Sequence, residues 1–179
     1  MFHVTERLLL RPAWPEDADA LFGGIADKGV VRNLARAPWP YLPEHALTFV
    51  KRMQDPRYPV FLITMPTDHG SQLVGCIGID AGEDATELGY WIARPYWGRG
   101  FATEAGRGVI EIARLLGHER LTAGHFTDNP ASGKVLRKLG FVPTGKTAMR
   151  HSCGRGEDAE CVMYSLDLEE NQVSSLQAA

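Results

Sequence analysis

At 179 residues, 44% of them hydrophobic, the chain can bury a real core, and one domain over residues 1–168 is the expectation. A formal net charge of −3 supplies no general basic surface, which argues against nucleic acid as a partner. Cys76, Cys153 and Cys161 lack disulfide-framework spacing, the N-terminus lacks a signal-peptide layout and no apolar run is as long as a membrane span, so a cytoplasmic protein without membrane contact is expected.

In chain order, Arg7 to Arg11 has the apolar centre of a first strand, and Pro15-Glu16-Asp17 opens a helix to Ile25 with Ala18, Leu21 and Phe22 on one face. Pro38 to Pro43 is too proline-rich for regular structure, whereas Glu44 to Gln54 repeats Ala46, Phe49, Val50 and Met53 at helical spacing. The loop between these helices carries Trp39 and Tyr41, as an acceptor-pocket wall or as a packed surface loop. Val60–Met65 and Gln72–Asp80 read as a hairpin across Thr67-Asp68-His69-Gly70, and Glu87–Ala93 as the next strand. Glu104 to Leu116 is an amphipathic helix whose Gly106 and Gly108 allow close approach to a sheet. Leu121–Phe126 is a strand, then a short helix follows, then Val142–Ala148 and Cys161–Leu168 pair across a polar loop from Ser152 to Asp158. The order is β-α-α-β-β-β-α-β-α-β-β, an α/β arrangement with a mixed sheet of six to seven strands, and residues 169–179 read as a frayed tail.

Two segments carry chemistry. In Glu87-Leu88-Gly89-Tyr90-Trp91-Ile92-Ala93-Arg94-Pro95-Tyr96-Trp97-Gly98-Arg99-Gly100-Phe101-Ala102-Thr103-Glu104-Ala105, a strand runs through a tight glycine turn into a helix. Glycines let the backbone approach a ligand, and the first N–H groups of a helix lack intrahelical partners, so taken alone this is the layout of a phosphate cradle or of an ordinary strand-to-helix turn in which glycine only relieves strain. Arg99 adds a positive charge between the glycines. In Asn129-Pro130-Ala131-Ser132-Gly133-Lys134-Val135-Leu136-Arg137-Lys138-Leu139-Gly140-Phe141, Asn129 is an N-cap, Pro130 the first helical residue and Gly140 the helix stop. Val135, Leu136 and Leu139 form its buried face, and Ser132 lies in the first turn at the positive end of the dipole.

Together these segments resemble the acetyl-CoA site of the GNAT acetyltransferase superfamily. Thr5-Glu6-Arg7-Leu8-Leu9-Leu10-Arg11-Pro12, followed by Glu16-Asp17-Ala18, narrows the resemblance to the RimJ/RimL-type branch, which acetylates protein N-termini and small amines. One departure is visible: the superfamily pattern Q/R-x-x-G-x-G/A opens on Gln or Arg, and Trp97 stands in that place here, as it commonly does in the branch. The resemblance implies a GNAT fold and acetyl-CoA as acyl donor, with no metal. It implies donor contacts from Trp91, Ile92, Trp97, Gly98, Arg99, Gly100, Phe101, Ala102, Thr103, Asn129, Ser132 and Lys134. It also implies that the strand Glu87–Ala93 splays from Leu121–Phe126, with a bulge near Gly89-Tyr90 turning an N–H toward the thioester carbonyl.

For the amine proton, Glu87 is the first choice and His125 on the neighbouring strand the alternative; the other reading of each is a strand residue with no chemical role. Ser132 is the branch's donor toward the leaving sulfur, as a proton donor or only as a hydrogen-bond donor. Many superfamily members use a tyrosine near this helix, but here no Tyr lies between Trp97 and Tyr164. Trp39, Tyr41, Glu87 and His125 would face an acceptor that is a small-molecule amine or a peptide or protein N-terminus, in a monomer or homodimer. A silent acyl-CoA-binding sensor is the rival reading. Gly140 to Thr147 matches the P-loop pattern, but a helix precedes it and no helical periodicity follows, so an NTPase is set aside. A Rossmann fingerprint fails at Thr103, and His151, Cys153 and Cys161 lack a fourth zinc ligand.

Overall fold

The computed structural model describes residues 1–52, 55–68, 70–82 and 85–168. Met53 and Gln54 of the expected helix, His69 of the expected hairpin turn and the expected tail 169–179 lie outside the described residues.

Eight strands form one sheet: β1 His3–Val4, β2 Leu9–Arg11, β3 Val60–Thr67, β4 Gly70–Ala81, β5 Thr86–Ile92, β6 Arg120–Phe126, β7 Val142–Ser152 and β8 Glu157–Asp167. Their order is β1-β2-β3-β4-β5-β6-β8-β7, and among the described residues only β5 and β6 pair in parallel. The count exceeds the expected six to seven because His3–Val4 folds back on Leu9-Leu10, a pairing too short to leave a periodic signal. The strand expected over Arg7 to Arg11 starts at Leu9. Both strands of the last pair are longer than expected, reaching Ser152 and starting at Glu157, so the polar connection shrinks to a tight turn.

Helices cover both faces: α1 Ala18–Ile25, α2 Lys28–Val31 and α3 Pro43–Val50 on one, α4 Phe101–Leu115 and α5 Pro130–Lys138 on the other. Strands buried on both sides must be apolar at successive positions, which explains Phe61-Leu62-Ile63. Phe61 and Ile63 join the α4–α5 core with Ile77, Val109, Ile112 and Leu136, while Leu62 joins Leu21, Ile25, Val31, Ala46 and Cys76 on the opposite face. Helix α2 had no periodic signal, because four residues hold about one turn; Asp27 caps it by accepting from Gly29 N and Val30 N.

The α5 signals work as written. Asn129 Oδ1 accepts from Ser132 N at 3.4 Å, and the helix ends with Phe141 N donating to Leu136 O and Gly140 N to Arg137 O, the paired bonds of a left-handed stop, with Gly140 at φ +92°. The chain then enters β7, so the P-loop match lacks the helix that a nucleotide site would need. In α4, a Cβ at Gly106 would lie 2.5 Å from Leu139 and one at Gly108 2.7 Å from His3, so both positions mark close approach.

Arg7 clasps the N-terminal segment to α4. Its backbone N donates to Glu104 Oε1 and its Nε to Glu104 Oε2, both at 2.7 Å, and Thr5 Oγ1 donates to the same carboxylate at 2.6 Å. Burial alone would push the Glu104 carboxyl up, but the bonds from Thr5 and Arg7 outweigh it and hold the carboxyl below its ordinary value of 4.5. A carboxyl depressed in the folded state contributes stability above its unfolded value, and that contribution is lost as pH falls through the lower folded value. Glu104→Gln should therefore lower the urea midpoint at pH 7, with the gap to the unsubstituted protein closing as pH falls below about 4.5. Urea titrations at pH 7, 4 and 3 check this; a gap that does not change with pH would show that the clasp acts through packing alone.

Candidate active site

Strands β5 and β6 pair only at Thr86↔Leu121 and Glu87↔Thr122, then part. The fork is the splay expected between them, and a cleft of about 1340 Å³ runs through it. The expected bulge is absent: the β4–β5 register runs unbroken from Ala81↔Thr86 to Gly75↔Ile92. Pairing with β4 along the whole strand leaves no room for an extra residue, and Gly89, where a Cβ would meet nothing within 4 Å, opens the cleft by lacking a side chain instead.

Alternation along β5 gives its two faces different tasks. Leu88, Tyr90 and Ile92 turn to the α4–α5 core, while Trp91 packs with the α1–α3 core. Glu87 shares parity with Trp91, so Glu87 and Tyr90 stand on opposite faces and meet a common space only because the sheet is forked.

On the α4 side, Gly98 and Gly100 have φ of +74° and +81°, values that L side chains rarely adopt. Glu104 N donates to Gly100 O as the first helical bond, so the N–H groups of Phe101, Ala102 and Thr103 precede the helical ladder beside the cleft. Trp97 Nε1 donates to Ile92 O at 2.6 Å, bracing the loop on the strand end. Phe101 contributes only backbone here, because its ring is buried in the core. The Arg99 guanidinium stacks 4.9 Å from the Phe101 ring and 5.6 Å from Tyr96, outside the residues that line the cleft. From α5, Asn129, Ser132, Lys134 and Lys138 complete this end.

At the fork, Tyr90 Oη lies 2.8 Å from Ser132 Oγ. This tyrosine precedes the glycine loop rather than following it, and strand parity along β5 is the sequence signal that points to it. Burial pushes the Tyr90 phenol up to about 12, against the opposing bond to Ser132.

The other end holds charge. Glu87 is ion-paired with Arg150 of β7, and its cross-strand partner Asp80 with Arg36, whose Nη1 lies 2.5 Å from Asp80 Oδ2. All four line the cleft, and only Glu87 among them was singled out from sequence. The walls are apolar, with Ile25, Val30, Leu34 and Phe49 beside Tyr41. Tyr41 is buried and its phenol is pushed up to about 12 by that burial, whereas Trp39 is 41% exposed and is not among the lining residues. His125 lines the cleft, yet its Nδ1 lies 2.9 Å from Phe126 O, its ring is 5.5 Å from Tyr164, and a Cβ at Gly133 would lie 2.5 Å from its Nε2. Packed in this way, it supports the α5 contact with the strand.

The β7–β8 turn closes this end against the segment after α2. Cys153 N donates to Ala35 O and Ser152 Oγ to Leu34 O, each at 2.8 Å, and Arg155 Nε donates to Arg32 O at 2.7 Å. The cleft therefore joins a helix N-terminus, a hydroxyl pair and two carboxylates, an arrangement that suits transfer of an acyl group from a phosphate-bearing donor to an amine.

The chain belongs to the GNAT acetyltransferase family: the model of the acetyltransferase (GNAT) domain matches residues 7–142. It is accordingly an N-acetyltransferase that uses acetyl-CoA as donor and an amine as acceptor. Among its relatives is the uncharacterized N-acetyltransferase YoaA of Bacillus subtilis (strain 168), 32% identical over an alignment of 149 residues, which covers 79% of this chain and 82% of YoaA. The fold matches that of a GNAT-family acetyltransferase from Bacillus anthracis with a TM-score of 0.79 at 24% identity, over 94% of this chain and 99% of the other. It also matches RimL, a ribosomal L7/L12 alpha-N-protein acetyltransferase in complex with coenzyme A, with a TM-score of 0.77 at 21% identity over 93% and 98% of the two chains.

Proposed function

We propose that the chain acetylates a primary amine, on a small molecule or at a peptide N-terminus, by direct attack on the acetyl-CoA thioester at the β5–β6 fork. The observation that carries this reading is the single cleft that links the Gly98–Gly100 turn, the fork and the Glu87–Asp80 pair. The side-chain-free turn and the first N–H groups of α4 fit a pyrophosphate, with Lys134 adding positive charge from α5. When bound, the thioester supplies an activated acetyl carbon. Ser132 faces the leaving sulfur, and Glu87 takes the ammonium and relays its proton to water. Arg150 orients the Glu87 carboxylate. The three free cysteines support a cytoplasmic setting.

Acceptor basicity sets the size of the Glu87 contribution. An α-amine with a pKa near 8 is roughly one-fifth neutral at pH 7.4, whereas a lysine-like amine near 10.4 is about 0.1% neutral. Glu87→Gln should therefore slow a lysine-like acceptor by about tenfold more than an α-amine, with the deficit shrinking as pH rises. A pH–rate comparison on both acceptor types, followed by thiol release, decides it: equal losses at every pH would leave Glu87 only a positioning role. Binding of CoA with no turnover of any amine would instead favour a sensor.

A further inference from the structure

A serine in the first turn of a helix ordinarily bonds its own backbone. Ser132 does not need to, because Asn129 already caps α5. Its Oγ instead meets a phenol from a strand 42 residues away, with Tyr90 Oη 2.8 Å from Ser132 Oγ and 3.3 Å from the Ser132 carbonyl oxygen. A carbonyl can only accept, so the longer contact has the phenol as donor, while the 2.8 Å contact between the two hydroxyls admits either direction. With the phenol hydrogen shared between the two Ser132 oxygens, Ser132 Oγ accepts and its own hydrogen points into the cleft that both residues line; with that hydrogen on the carbonyl alone, Ser132 Oγ donates to the phenol, and a sulfur anion in the cleft draws the pair to the first arrangement. Tyr90 is well placed to hold that arrangement. Its strand pairs without interruption to β4, with Tyr90 opposite Ile77, and its side chain packs on the α4–α5 core. The phenol stays neutral, and so able to donate, throughout the physiological range.

We propose that Tyr90 is the positioning residue for Ser132, holding the serine hydroxyl so that its hydrogen points at the sulfur of the departing CoA. This rests on the acetyl-transfer reading above. The amine nitrogen bonds to the acetyl carbon, the carbon–sulfur bond breaks and its electron pair leaves on sulfur, where the Ser132 hydrogen bond stabilises it. The amine proton goes by way of Glu87 to water, and the thiolate later takes a proton from water. Neither hydroxyl gives up its proton, as expected when an aliphatic alcohol and a phenol are both weaker acids than a thiol.

The test uses CoA and desulfo-CoA, which lacks the sulfur, with calorimetric binding at pH 7 and pH 9.5 and single-turnover rates with acetyl-CoA. In the unsubstituted protein, affinity for CoA relative to desulfo-CoA should rise severalfold with pH as the thiol ionises against Ser132. Tyr90→Phe and Ser132→Ala should each flatten that rise and lower the single-turnover rate about tenfold, with desulfo-CoA affinity nearly unchanged. Tyr90→Phe added to Ser132→Ala should cost nothing more. Replacing Tyr90 by 3-fluorotyrosine, which keeps the hydroxyl, should restore the rate at pH 7, and serves as the check if the phenylalanine variant fails to fold. A loss from Tyr90→Phe that persists in the Ser132→Ala background, or a pH-dependent rise that survives Tyr90→Phe, overturns the proposal. Failure of desulfo-CoA to bind the unsubstituted protein would instead overturn the acetyl-CoA reading.

Discussion

Gly100→Glu should weaken CoA binding by at least about a hundredfold, about 2.8 kcal/mol, while leaving the protein folded. Position 100 has φ +81° and caps α4, so any side chain there costs about 1–2 kcal/mol of backbone strain. That is small beside the 5–15 kcal/mol by which domains are typically stable, so the fold should persist. Space is also available, since a Cβ there would meet only Arg7 Nη2, at 3.6 Å. The function is more exposed: a fixed carboxylate at the first N–H groups of α4 repels a pyrophosphate and satisfies the donors that should bind it. Gly100→Ala shares the strain without the charge and should lose far less affinity. Calorimetry on both variants, with near-ultraviolet circular dichroism to confirm folding, decides it; equal binding by the two would remove the cradle from this turn.

Phe101→Ala should cost about 3–5 kcal/mol, because the ring is one of the largest fully buried side chains in the α4–α5 core. For a chain of this length that is a drop of about 10 °C or more in Tm. The ring is also a platform for two cations, with the Arg7 guanidinium 4.6 Å and the Arg99 guanidinium 4.9 Å from its centroid. Its loss should therefore loosen the first turn of α4 and weaken CoA binding, although the side chain never enters the cleft. Thermal melts and CoA titrations of the same variant check both effects. A melting loss with unchanged affinity would show that the turn holds its shape without the ring.

What could be read from the sequence was local. Asn129, Pro130 and Gly140 mark both ends of α5 because caps and stops act within a few residues, and Gly98-Arg99-Gly100 marks the tight turn into α4 for the same reason. What escaped reading depends on distant pairing. Glu87 could be singled out by its distance from the loop, but its partner Arg150 is 63 residues away on β7, at the edge of the sheet, and the two meet only in the folded chain. The Tyr90–Ser132 contact escaped for the same reason, although each residue lay in a segment already singled out. Arg99 was read as a cleft residue from its position between glycines, but a nearby aromatic pair stacks its guanidinium first. Trp39 drew attention by its aromaticity and stays outside the cleft lining.

The β7–β8 hairpin also bears on how such a site could diversify. Arg150 and Cys161 line the cleft but lie beyond residue 142, where the family match ends, and the hairpin tip is fastened to Leu34 and Ala35 from outside the sheet. The donor end, by contrast, is built from β5, α4 and α5, within the matched span. Lengthening or recharging the hairpin would recut the compartment proposed to admit the amine without moving the groups proposed to hold the nucleotide. The chain is in this sense two tools on one handle, with a shared grip for the donor and an exchangeable jaw for the acceptor.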